Sequence, residues 1–173
     1  MKILIRQARI IDPSSPHNGQ VKDLFIENGI IRLIEDHIEK DSDQVLDAGN
    51  LHLSPGWMDV FAHFADPGFE FKETMETGAA AAISGGYTDV MLIPNTQPIV
   101  HNKSGVEYLV QKGKSLGINI HPIGAVTKNA KGDELAEMYD MKASGAIAFS
   151  DGTESIQSAG LLVKALQYIK TFN

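Results

Sequence analysis

Four polar groups fall where this chain could do chemistry. Asp59 to His63 closes one apolar run, Asn95 follows Val90-Met91-Leu92-Ile93 and a proline, Thr127-Lys128 follows Ile118 to Val126, and Asp151 follows Ala146 to Phe149. In parallel α/β folds the working side chains lie where strands end and loops begin. The chain has no cysteine, so thiolate metal sites and disulfides are excluded. Any metal must then be held by histidine and carboxylate. The other histidines, His17, His37, His52, His101 and His121, form no close pair in the sequence.

The elements that must position these residues follow from local pattern. Ile3, Ile5, Ile10 and Ile11 open a strand that Asp12-Pro13 breaks, and Leu24-Phe25-Ile26 and Ile30 to Ile34 flank Asn28-Gly29. Asn-Gly between two β-rich runs predicts a tight hairpin, because both turn residues need positive φ. From about residue 53 strands and helices alternate. Strands are predicted at 57–64, 90–93, 118–126 and 146–149. Helices are predicted at 74–84, at 104–117 behind a Ser104-x-x-Glu107 capping box, from an Asp133 cap to Gly145, and from about Ser158. The Ala79 to Ala82 run predicts close helix–sheet packing, and Met138 and Met141 read as core.

Alternation at this rhythm predicts βαβ units on a parallel sheet. Residues 53–173 hold about four such units at roughly 30 residues each, half of what a closed (β/α)8 barrel needs. The fold class expected is therefore α/β over 53–173 after a small β portion (1–52): either an open, complete sheet or the N-terminal half of a (β/α)8 TIM-type barrel. Such a half exposes a strand edge that favours pairing with another chain.

Composition narrows the functions. The 173 residues are 43% hydrophobic and 21% charged, with 15 basic against 22 acidic side chains and a net charge of −7. That excess of negative charge argues against a nucleic-acid partner. No apolar run reaches the roughly 20 residues needed to cross a bilayer, and the opening reads as a strand, not a signal peptide. An absence of cysteine fits a reducing cytoplasm.

The segment from Ser54 to Thr74, with Asp59, His63 and Asp66-Pro67-Gly68, resembles the signature of dihydroorotases of the amidohydrolase superfamily. The match continues through Gly85-Gly86-Tyr87-Thr88, Pro94-Asn95-Thr96-Gln97-Pro98 and Ala148-Phe149-Ser150-Asp151-Gly152. The opening strand and hairpin resemble that family's accessory β-sandwich. The resemblance runs along essentially the whole chain and covers the N-terminal half of a family member. It implies a zinc-dependent hydrolase that opens a cyclic amide, interconverting dihydroorotate and N-carbamoyl-aspartate in pyrimidine biosynthesis; hydantoinases and allantoinases are a lesser version of the same reading. Carried over by residue, His63 matches the second histidine of a His-x-His metal pair. Asp151 matches the carboxylate that bridges two metals, and Asn95 an asparagine that helps hold the substrate carboxylate. The general base is expected beyond Asn173.

Three positions depart from that pattern. Phe61 stands at the first histidine, Ala65 at the arginine that grips substrate, and Gly152 beside Asp151 at a common acidic position. Residues two apart on a strand share a face, so Phe61 faces the same site as His63 with no lone pair to donate. The expectation is therefore impaired or absent activity. The alternative is a non-catalytic scaffold or regulatory partner of a pyrimidine-pathway enzyme, which family behaviour suggests is aspartate transcarbamoylase. The expected partners are a missing C-terminal half or a second copy.

Overall fold

A computed structural model describes residues 1–172. The chain divides into two compact units, Met1–Pro55 and the part from Gly56 onward.

The first unit is a mixed sheet. Strands β1 (Lys2–Ile10), β2 (Val21–Glu27) and β3 (Ile30–Glu35) form an antiparallel meander, while β4 (Gln44–Leu46) and β5 (His52–Leu53) run parallel to β1. The hairpin falls on Asn28 (φ 52°) and Gly29 (φ 77°), as its two-residue sequence requires. Side chains alternate across β1 and β2. Leu4 and Phe25 pack with Ile38, and Ile5, Ala8 and Leu24 pack together in a separate cluster. A bulge between Ile5 and Ala8 puts Gln7 at φ 47°. The fully buried Asp23 holds it there, accepting from Gln7 N at 2.9 Å, Gln7 Nε2 at 2.9 Å, Ile38 N at 3.0 Å and Arg6 at 3.3 Å.

The second unit alternates strand and helix. Its order is β6 (Trp57–Ala62), α1 (Met75–Ser84), β7 (Tyr87–Leu92), α2 (Lys103–Gly113), β8 (Asn119–Gly124), α3 (Met138–Ala143), β9 (Ala148–Phe149) and α4 (Ala159–Ile169). The four strands pair in parallel and in chain order, β6-β7-β8-β9. That is the order of successive strands in a (β/α)8 barrel, and β6 and β9 are its two edges. One core joins sheet and helices through Met75, Ala79, Val90, Leu92, Leu109 and Met141. α1 lies close on the sheet. A Cβ on Gly78 would strike the Phe64 ring, and Ala79 is the one fully buried member of the alanine run.

Three local expectations give way to tertiary structure. The cap of α2 is Asn102, whose side chain accepts from Gly105 N at 3.0 Å, and Ser104 lies inside the helix. Asn102 has extended backbone angles and a short acceptor, so it meets the same need two residues earlier. Asp133 caps no helix, because residues 134–136 fold back as an extended strip. Thr127 bridges Leu135, Lys128 N donates to Glu134 O, and Ala136 N donates to Val126 O. Those backbone bonds are unavailable to a helix, so α3 begins only at Met138. The third strand also ends early, at Gly124. Thr74, by contrast, caps α1 with a reciprocal Thr77 bond.

Candidate functional site

The strand ends converge at the carboxyl side of the parallel sheet. His63 follows β6 and reaches the loop after β7, where its Nε2 lies 3.0 Å from Asn95 O. A carbonyl oxygen only accepts, so Nε2 is the donor in this contact and Nδ1 is left for another partner. Asn95 turns toward the loop after β9. Its Nδ2 donates to Asp151 O at 3.1 Å, and its Oδ1 accepts from Thr153 N at 3.1 Å. Asp151 is buried, at 3% exposure. It accepts from Thr127 N at 2.9 Å on one oxygen and from Thr127 Oγ1 at 2.5 Å on the other. Thr127 Oγ1 in turn accepts from Gly132 N at 2.9 Å. The structure thus brings His63, Asn95 and Asp151 into one hydrogen-bonded chain across three loops.

Phe61 and His63 line one open hollow of about 290 Å³, together with Asp59, Phe64, Glu73 and Tyr87. Asp59 accepts from the Phe61 amide at 2.9 Å. Lys128, the other polar strand end, pairs with Glu134 at 2.6 Å, which raises its pKa. A wider hollow of about 730 Å³ spans all four loops, with Phe69, Asn95, Gln97, Lys131, Asp133 and Thr153 among its walls. Asn129 (φ 54°) and Ala130 (φ 53°) on this wall hold left-handed backbone, which is uncommon for a residue with a Cβ. Ala65, at the arginine position, is 3% exposed with φ 60°, facing protein and not solvent.

A second polar network supports this face, and the sequence does not show it. Asp66 is fully buried between the loop after β6 and two helices. It accepts from Lys112 Nζ at 2.6 Å, Tyr108 OH at 2.8 Å and Met75 N at 3.2 Å. Burial works to raise the Asp66 pKa, but the Lys112 ammonium, the Tyr108 hydroxyl and the Met75 amide outweigh it and hold the carboxyl below its usual range. The i, i+4 spacing of Tyr108 and Lys112 puts both on one face of α2; nothing in the sequence tells which carboxylate they meet. Asp89 on β7 forms a similar cross-strand group on β8, accepting from His121 at 2.8 Å and Asn119 at 3.0 Å, and the His121 contact first among these lowers its pKa.

The zinc that the resemblance implies does not fit this donor set. Among the described residues no three histidine or carboxylate side chains gather to hold an ion. Phe61 offers no lone pair, His63 has Nε2 turned to Asn95 O and only Nδ1 left to offer, and the buried Asp151 is held by Thr127, so these groups do not add up to a ligand set. A catalytic zinc normally has three protein ligands.

The family model for dihydro-orotase-like proteins matches residues 50–172. The dihydroorotase of Acetivibrio thermocellus is 39% identical over 99% of this chain and 40% of its own length. That of Pelotomaculum thermopropionicum is 42% identical over 97% and 39%. The chain thus spans about 40% of the length of the curated relatives it matches. Among solved structures, the L-hydantoinase of Arthrobacter aurescens superposes with a TM-score of 0.75 at 21% identity, over 98% of this chain and 38% of its own. A dihydroorotase crystal structure gives 0.65 at 13% identity, over 98% and 49%. These two likenesses establish the fold alone, a parallel α/β half-barrel. No helix among the described residues is long and apolar enough to cross a membrane. The family model spans most of the chain and the sequence identity runs from end to end: the chain belongs to the dihydroorotase-like family.

Proposed function

We propose that this chain is a cyclic amide hydrolase of the dihydroorotase type by architecture, working on the dihydroorotate and N-carbamoyl-aspartate pair of pyrimidine biosynthesis, with its zinc chemistry impaired. The observation that carries the impairment is Phe61 beside His63 in one hollow, where the family pattern has two histidines. On this reading His63 and Asp151 are the remnant of the ligand set and the loop of Asn95 is the remnant of the substrate site. Residues 1–52 are one layer of the accessory β-sandwich, and 53–173 are the first four βα units of the barrel. The protein works in the cytoplasm. The five-stranded sheet of the first unit and the sequential parallel order of the second support a chain of two such parts, with β5 carrying the first through Leu53 and the boundary falling after Pro55. Elemental analysis after dialysis against zinc, with a dihydroorotate turnover assay, tests it. We expect well under one zinc per chain and no metal-stimulated turnover. Stoichiometric zinc with turnover overturns the impairment.

A second reading, a non-catalytic scaffold, draws support from the edge strand β6. Trp57 (62% exposed), Met58 (46%), Val60 (60%) and Phe61 (52%) make it an apolar, unpaired edge. Such an edge recruits a strand from another chain. The partner on this reading is a complementary C-terminal segment or a second copy, with aspartate transcarbamoylase as the enzyme served. Association without zinc supports the scaffold.

A further inference from the structure

The loops at the mouth of the sheet are tied to one another by side chains that the family pattern would give to metal and substrate. Asp151 spends both oxygens on Thr127, joining the loop after β9 to the loop after β8. The relay continues, since the Thr127 hydroxyl that donates to Asp151 accepts from Gly132 N. Its donors and acceptors alternate in one direction, so each bond polarises the next. Asn95 spends both ends of its amide on the same β9 loop, and His63 donates to the Asn95 carbonyl, tying in the β6 loop. Gly152 (φ 66°) has no room for a side chain, because Asn95 Oδ1 fills that space. A metal ion at Asp151 would have to enter beside Thr127 at a buried carboxylate already hydrogen-bonded on both oxygens, and one at His63 would be left with Nδ1, since Nε2 is tied to the Asn95 carbonyl.

We infer that these residues form a metal-free latch, with Asp151 as its keystone and Asn95 as a second tie, so that the four loops hold their arrangement without zinc. Asp151 and Asn95 are then positioning residues. The inference rests on the reading that His63 and Asp151 hold no zinc.

Amide hydrogen exchange on the full chain, in whatever association state it takes, tests the latch with and without zinc and after chelation. The wild-type chain should show the same melting temperature and the same slow exchange at Thr127, Gly132 and Thr153 in all three conditions. Asp151→Asn should speed exchange at Gly132 and Thr127 by about tenfold or more, as loss of a buried charged hydrogen bond predicts. Thr127→Val should do the same at Gly132, and Thr127→Ser should restore protection. Asn95→Ala should speed Thr153 alone. Nitrogen chemical shifts of His63 should report hydrogen on Nε2. If Asp151→Asn fails to fold, the Thr127 pair decides. Zinc that raises the melting temperature or slows exchange at these amides overturns both this inference and the impairment above. Inert zinc combined with unchanged exchange in Asp151→Asn and Thr127→Val overturns the latch alone.

Discussion

Asn95 and Gly152 occupy one volume: Asn95 Oδ1 lies where the Cβ of any other residue at 152 would stand. Asn95 can therefore reach Asp151 O and Thr153 N only because position 152 has no side chain. Gly152 is at φ 66° as well, a backbone region that costs other residues roughly 1–2 kcal/mol. We expect Gly152→Ala and Gly152→Asp each to lower stability by about 2–5 kcal/mol, the sum of that strain and two lost neutral hydrogen bonds. Urea denaturation measures it. A neutral Gly152→Asp, or one that gains zinc, would contradict the shared volume.

Zinc uptake should respond only partly to repair at Phe61. Phe61→His restores a second imidazole in the hollow with His63, but two nitrogens fall short of the usual three protein ligands. We expect more zinc than in the wild-type chain and less than one per chain, read by elemental analysis. No change at all would mean that Phe61 does not share a site with His63.

Lys112 is the counter-charge of the buried Asp66, 2.6 Å away. Lys112→Met leaves that carboxylate to Tyr108 and the Met75 amide, at a cost of about 2–4 kcal/mol. Lys112→Arg should recover part of it. The pH dependence has two limbs. The folded Asp66 pKa lies below the ordinary 3.8 of an aspartate, so its contribution is full above that value and is lost as pH falls through the lower folded one. The Lys112 pKa is raised by Asp66 first of all, so its contribution is full below 10.5 and fades only as pH rises through the folded value. Acid denaturation of wild type and Lys112→Met should therefore converge at low pH. Curves that stay parallel would mean that the pair is not the source.

Asp23 should govern acid stability in the first unit. Burial opposes its charge, but the Gln7 and Ile38 amides, the Gln7 side chain and Arg6 prevail, and its pKa is lowered from 3.8. The sign is that of Asp66: stability present at neutral pH and lost in acid. Asp23→Ala strands the Gln7 and Ile38 amides and should cost about 2–4 kcal/mol at pH 7. Exchange at those two amides locates the effect, and unchanged protection there would count against it.

The exposed edge of β6 should drive association. Light scattering at micromolar concentration should find the chain larger than a monomer. Val60→Lys, which puts a charge on the 60% exposed edge position, should shift it toward monomer. A compact wild-type monomer would remove the edge as a docking surface.

Much of the fold was legible because it is written in near neighbours. Asn28-Gly29 sets its own turn, Thr74 caps its own helix, and continuous apolar runs such as Val90 to Ile93 mark strands covered on both faces. The motifs around Asp59, Asn95 and Asp151 also carried the family, since each is a contiguous string. Where two local solutions competed, the sequence could not choose. Asn102 and Ser104 both cap well, and residues 133–137 suit a helix until the backbone of Val126 and Lys128 takes their bonds. The partners of the buried carboxylates lay beyond local reading altogether. Asp66 meets Lys112, Asp151 meets Thr127, and Asn95 meets the loop of Gly152, across 46, 24 and 58 residues. By itself, then, the sequence determined the alternation of strands and helices, the family, and the loss of a lone pair at Phe61. Only tertiary structure decided which polar atoms close on one another, because a buried carboxylate takes whatever donors the packing brings within about 3 Å, and no spacing along the chain specifies those.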